Sequence, residues 1–235
     1  MGRPENDVDQ TVPARAALAE YLRWCRREAG LTYSQMSEAS RLSKATFERA
    51  ASGSTVPAWD TVELFITVTC TNDVFGLEAY LTRGHELWVR ARRATRAPYY
   101  VHKAPDPTLL SDTAGFLRAL RHQHVWAGYP TPGEMESMAG TGMLPKSTVR
   151  RIIAGDALPV DPPQTLAFLQ ACYVRGETEL ERWLSAAVRA LRDDPTRSKD
   201  ISKWVKAHQE MVRRAKKKEF DSVTLPRNQE RQRAA

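Results

Sequence analysis

RLSKATFERAASGSTVP runs from Arg41 to Pro57, and MLPKSTVRRIIAGDALP runs from Met143 to Pro159. Leu, Lys, Thr, Arg, Gly and Pro stay in step between the two at a constant offset of 102 residues. The likeness extends downstream, where TVELFITVTC (Thr61–Cys70) answers PQTLAFLQAC (Pro163–Cys172). Upstream, LAEYLRWCRREAG (Leu18–Gly30) answers FLRALRHQHVWAG (Phe116–Gly128) at an offset of 98, so four extra residues fall between the blocks of the second copy. YPTP (Tyr129–Pro132) is read as that insertion, in the loop after the copy's first helix. Two copies at this period indicate a duplicated domain, because a solenoid needs at least three repeats for a continuous core.

Each copy reads as helices. Leu18, Leu22, Cys25 and Ala29 form an apolar stripe at helical spacing, stopped by Gly30. Thr32 with Gln35 fits a capping box for a short helix to about Ser40, and Ser43 can cap the next, Lys44 to about Ser52, closed by Gly53. Pro57 opens a fourth helix to Cys70, and a fifth runs from about Val74 to Arg93. In the second copy TPGE (Thr131–Glu134) is again a capping box, with Pro at the first helical position. No stretch alternates apolar and polar residues over a useful length, so the expected fold is all-α. It comprises two tandem five-helix domains plus a basic C-terminal helix and tail. The expected boundaries are a disordered N-terminus over 1–12, a first domain over 13–95, a proline-containing linker over 96–111 and a second domain over 112–193. A basic amphipathic helix follows over 199–219, with Ile201, Trp204, Val205, His208 and Val212 on one face, then a disordered tail over 220–235.

Charge is concentrated at one end. From Lys199 to Ala235 there are eleven Lys/Arg against five Asp/Glu, which is +6 of the chain's net +7, so the first 198 residues are close to neutral. An apolar share of 42% suits a globular chain of 235 residues. Three cysteines, Cys25, Cys70 and Cys172, build no disulfide framework and are read as buried hydrophobes in a reducing cytoplasm. The opening MGRPENDVDQ lacks an apolar core for a signal peptide, and no run is long enough for a membrane span. The expected location is the cytoplasm, associated with the nucleoid, with no membrane contact.

A short helix, a turn and a second short helix, buttressed by flanking helices, is the plan of a helix-turn-helix. LTYSQMSEASRLSKATFERAASGSTVP resembles the Cro- and phage-repressor-like (Xre) family. Leu31, Thr32, Met36, Leu42, Ser43, Thr46, Phe47, Arg49, Gly53 and Pro57 stand at that family's motif positions. The resemblance covers about 14–95 and again 112–192, and implies lambda-repressor-like domains that bind double-stranded DNA. Side chains on the outward face of the second short helix would meet base edges: Lys44, Ala45 and Arg49, and in the second copy Lys146, Ser147 and Arg151. Lys and Arg donate to guanine O6 and N7, while Ala packs on a thymine methyl. Thr32, Tyr33, Ser34, Ser43 and Thr46, with Thr148 and Arg150, are placed for phosphate contacts. Phe47, Ala50, Val149 and Ile152 point inward. Arg213, Arg214, Lys216, Lys217 and Lys218 would neutralise phosphates without reading sequence, the bland alternative being a solvated helix face.

The chain departs from that family at three places. Arg41 replaces the turn glycine, so either a non-glycine residue sits left-handed there or the turn is rebuilt. Ser54 and Asp156 follow the closing glycines where the family often has Lys or Arg, and Pro145 replaces the capping Ser43. The second copy is therefore either a second reader or a structural or dimerising relative. His122 and His124 point to different sides of a helix and suggest no metal site. No cofactor and no catalytic constellation is expected; the six tryptophans read as packing. The function indicated is sequence-specific DNA binding, as a transcriptional regulator of repressor-like kind, with a homodimer or another regulatory protein as possible partner. The rivals are a protein-interaction adaptor and a plasmid or phage DNA-maintenance protein. Enzymatic activity is not expected.

Overall fold

The computed structural model describes residues 5–70, 76–96, 103–192, 194 and 200–233, with side chains to 217. It is all-helical, with no strand among the described residues. The chain divides into two compact units, Met1–Val101 and His102–Ala235.

Unit 1 contains α1 (Pro13–Glu28), α2 (Tyr33–Glu38), α3 (Lys44–Ala50), α4 (Trp59–Thr69) and α5 (Leu77–Arg96). The apolar stripe of α1 is buried at Leu18, Leu22 and Cys25, and α1, α4 and α5 pack together around it. The Thr32 hydroxyl accepts from the Gln35 amide while the Gln35 side chain accepts from the Thr32 amide, completing the capping box. Ser43 caps α3 through the Thr46 amide. The fourth helix starts at Trp59, later than the Pro57 start that the sequence favours. Extended Ala58 is its N-cap, and the Pro57 carbonyl instead accepts from the Trp88 indole N–H at 2.9 Å.

Residues 5–12 depart from the expected disordered N-terminus. The Asp9 amide donates to the Ser52 carbonyl at 2.9 Å, and Gly53 lies so close that a Cβ there would sit 2.8 Å from the Asp9 carbonyl oxygen. At φ +78° this glycine both turns the chain and admits the arm.

Unit 2 contains α6 (Thr113–Trp126), α7 (Pro132–Ala139), α8 (Lys146–Ala154), α9 (Pro162–Ala171), α10 (Glu177–Arg192) and α11 (Ile201–Arg233). Within the expected linker, 97–102 lie outside the described residues, but 103–111 belong to this unit. Asp106 caps a short 3-10 turn over Pro107–Leu109, and the Arg189 guanidinium of α10 donates to the carbonyls of Pro107, Thr108 and Leu110. One fork thus collects three carbonyls, which ties this stretch to the domain.

Helix α11 is part of the same core. Trp204 and Met211 are buried with the residues of α6–α10, and His208 bonds Glu181 of α10 at 2.5 Å. Its backbone continues helically to Arg233, past the expected end at 219 and through Pro226, a residue that costs an interior helix one hydrogen bond.

The three cysteines are buried, and none is in a disulfide among the described residues. Burial holds the Cys172 thiol well above its ordinary range and pushes Cys25 up to about 11, so neither carries a thiolate near neutrality. Trp24 is 38% exposed yet still packs between helices, stacked between Tyr21 of α1 and Tyr80 of α5.

Candidate nucleic-acid interface

Helix α3 is held from behind. Phe47 and Ala50 are buried, and Phe47 meets Phe65 of α4 edge-on at 5.4 Å. Arg23 of α1 donates from Nε to the Ala51 carbonyl at the helix's C-terminal end, at 2.8 Å. With that face fixed, Lys44, Ala45, Glu48 and Arg49 are exposed. Lys44 and Glu48 form an i,i+4 pair at 3.7 Å, both about half exposed, which orients the ammonium without removing it from solvent. The Arg49 guanidinium has no hydrogen-bond or ion-pair partner among the described residues. Sequence reasoning passed over Glu48, although its spacing from Lys44 marks it as a member of this face. A carboxylate there can accept from cytosine N4.

The turn before α3 is rebuilt, not strained. Among the described residues the non-glycines at positive φ are Tyr129 and Tyr173, so Arg41 is not left-handed. Two hydroxyls close the turn: Ser37 Oγ donates to the Leu42 carbonyl at 2.9 Å, and Ser40 Oγ accepts from the Leu42 amide at 3.3 Å. Of the expected phosphate-contacting groups, Thr32, Ser34 and Ser43 are exposed. The Thr46 hydroxyl is engaged with Ser43 Oγ at 2.9 Å. Tyr33 is half-buried under the Arg26 guanidinium and donates its hydroxyl to Glu5. Burial, and then Glu5, raise its phenol far above the ordinary range.

In unit 2 the same buttress recurs: Arg121 Nε donates to the Ile153 carbonyl at 2.8 Å, and Val149 and Ile152 are buried. Lys146, Ser147, Arg150 and Arg151 are exposed and Thr148 is half-buried.

The turn, however, is different, and it relocates the insertion. Thr32 and Thr131 both form capping boxes and lie 99 residues apart, while the N-caps Ser43 and Pro145 lie 102 apart. Only one of the four extra residues falls before α7, so YPTP is not the whole insertion. Three fall between the caps, where α7 has 8 residues against 6 in α2 and where Gly140 and Gly142, at φ +83° and +81°, allow a wider path.

Pro145 offers no side-chain cap. Glu136 of α7 replaces it, accepting from the Lys146 amide at 3.1 Å and pairing with Lys146 Nζ at 3.3 Å. The Lys146 amide, and then its ammonium, hold this carboxyl below the usual range. A candidate base-reading cation is thereby engaged by an acid that sequence reasoning did not single out. Its signal was the bare Pro145 cap.

The C-terminal cations sit on the outer face of α11. Arg213, Arg214, Lys216 and Lys217 are exposed, Arg214 pairing with Glu210 at 2.7 Å. The Lys218 side chain lies outside the described residues. His124, weighed above as a ligand, is buried with Nε2 2.8 Å from the Pro130 carbonyl.

Residues 17–74 match the family model described as a helix-turn-helix domain. No curated protein and no solved structure matches the chain. The match begins within α1 and takes in α2, α3 and α4, so unit 1 contains a helix-turn-helix domain, which supports DNA as its partner. Among the described residues, no helix is long and apolar enough to cross a membrane.

Proposed function

We propose that this chain is a sequence-specific double-stranded DNA-binding protein, a transcriptional regulator of the Xre, repressor-like kind, acting without catalysis in the cytoplasm on the nucleoid. The observation that carries this reading is the exposed Lys44–Ala45–Arg49 face of α3, rigidly backed by Phe47, Ala50 and the Arg23–Ala51 bond. A helix so held enters the major groove while its partner helix crosses the backbone. Lys44 and Arg49 then donate to guanine edges, and Ala45 packs on a thymine methyl. The exposed Arg213, Lys216 and Lys217 add salt-dependent phosphate contacts.

For unit 2 a second reading has its own support. Its α7–α8 pair resembles a tandem helix-turn-helix in core and buttress. The three added residues and the Glu136–Lys146 pair instead favour a structural, dimerising or regulator-binding role.

Selection of random duplexes by mobility shift tests both. Lys44→Ala or Arg49→Ala should cost about 1–3 kcal/mol on the enriched motif, while Lys146→Ala and Arg151→Ala leave it nearly unchanged. The basic helix is best tested by Arg213→Gln, Lys216→Gln and Lys217→Gln together, since truncation would strip Trp204 and Met211 from the core. If these substitutions abolish binding while Lys44→Ala and Arg49→Ala do not, base reading by α3 is wrong.

A further inference from the structure

The segment before α1 is acidic and lies against the face assigned to DNA. Glu5 Oε1 is 3.2 Å from Arg23 Nε, and Oε2 is 2.9 Å from Arg26 Nη2. The Tyr33 hydroxyl donates to the same carboxylate, and the Arg26 guanidinium stacks 4.5 Å above the Tyr33 ring. Arg26 Nε is buried and has no acceptor among the described residues, a donor the two carboxylate oxygens leave unused. Beyond Glu5, the arm forms one wall of a groove of about 670 Å³. Asn6 and Asp7 line it from the arm, together with Thr32, Ser34 and Lys44.

A single negative charge with two acceptor oxygens, held by two guanidinium groups and a hydroxyl, has the recognition chemistry of a phosphodiester. We propose that Arg23, Arg26 and Tyr33 form a cradle for a DNA backbone phosphate, and that the acidic arm occupies this cradle through Glu5 when DNA is absent. The inference rests on the reading of unit 1 as a DNA binder.

The contact is built to be exchanged. The Glu5 side chain keeps 29% of its exposure, so water reaches its carboxylate, whereas Arg23 and Arg26 are largely buried at 12% and 17%. The arm's firm anchor lies further along, at the Asp9–Ser52 bond and the close approach to Gly53. Residues 5–7 can therefore leave the cradle while 8–12 stay attached. Arg23 keeps its bond to the Ala51 carbonyl in either state, so the cradle does not depend on the arm for its position.

The test is a mutant cycle in the full chain, on the duplex enriched by selection, at about 0.1 M salt. Glu5→Gln should bind about two- to fivefold tighter, an effect of roughly one partly exposed ion pair. Arg26→Gln should bind more weakly, and adding Glu5→Gln to it should gain less than about twofold. Equal or weaker binding by Glu5→Gln, with its melting temperature unchanged, overturns the proposal, as does a full gain in the Arg26→Gln background. If melting temperature falls, NMR order parameters of the unmodified chain decide. DNA should lower them over 5–7, whereas higher order there would make the arm a DNA contact and overturn competition. Should Lys44→Ala and Arg49→Ala weaken binding while Glu5→Gln gains nothing, the arm proposal falls and DNA reading stands. If no duplex is shifted by either the parent or Glu5→Gln, both fall.

Discussion

Five residues after its capping threonine, each unit places a different side chain at the same point: Ser37 in α2 and Glu136 in α7. Ser37 closes its own turn by bonding the Leu42 carbonyl, leaving Ser43 to cap α3 and Lys44 open to solvent. Glu136 reaches past its turn to cap α8 and takes the Lys146 ammonium with it. Behind these differences, Arg23 and Arg121 make the same 2.8 Å bond to the end of the helix in front of them, and Met36 and Met135 are both fully buried. The units thus share what holds the second short helix and differ in what that helix presents. Packing restricts the inner face to apolar groups of fitting volume, whereas the turn needs only some group to satisfy its amides.

The deepest test of the shared core is the residue under each presenting helix. Phe47→Ala removes a fully buried ring from contact with Phe65 and should cost about 3–5 kcal/mol. Val149→Ala, at the equivalent place, removes two methyl groups and should cost about 1–3 kcal/mol. Urea titration with hydrogen exchange separates the units, since peptides of α1–α5 should lose protection in the first variant and peptides of α6–α10 in the second. Equal losses would mean that the shared pattern hides different cores.

The turns should respond to glycine in opposite ways. Gly140 has φ +83° and ψ +161°, a region almost confined to glycine, and nothing within 4 Å of its Cβ position would relieve or worsen the strain. Gly140→Ala should cost about 1–3 kcal/mol from backbone alone. Arg41 is at ordinary φ, so introducing the family's glycine there relieves no strain. Arg41→Gly should cost up to about 1 kcal/mol through the freer unfolded chain. Thermal unfolding of both variants checks this, and a stabilising Arg41→Gly would show that the first turn is strained after all.

Much of this was legible in the chain itself. Local patterns carried the helices, because capping boxes at Thr32 and Thr131 and the cap at Ser43 depend on neighbours within four residues. Burial of Phe47, Ala50, Val149 and Ile152 followed from helical spacing. The site's modifiers were hidden because they act across distance. Glu5 meets Arg26 from 21 residues away, and Arg189 gathers the linker carbonyls from about 80. No periodicity marks such pairs. The insertion was misplaced for a related reason: an offset between aligned blocks says how many residues are extra, but only the caps say where the chain spends them.

The smallest effect bears most directly on what separates the two units. Glu136→Gln keeps an acceptor for the Lys146 amide and removes the charge that holds the ammonium, so α8 should stay folded with slightly faster amide exchange over 146–149. The folded carboxyl is held below its ordinary value of 4.5 by the Lys146 amide and then its ammonium. Its contribution to stability is therefore complete above that value and lost only as pH falls through the lower folded value. Near pH 7 the pair is fully charged, and the substitution alone breaks it. If Glu136 keeps α8 from phosphates, releasing Lys146 should add one ion to the DNA contact. The slope of log affinity against log salt would then steepen by about 0.9. An unchanged slope, alongside intact recognition by α3, would mean that α8 stays off DNA whatever its charge.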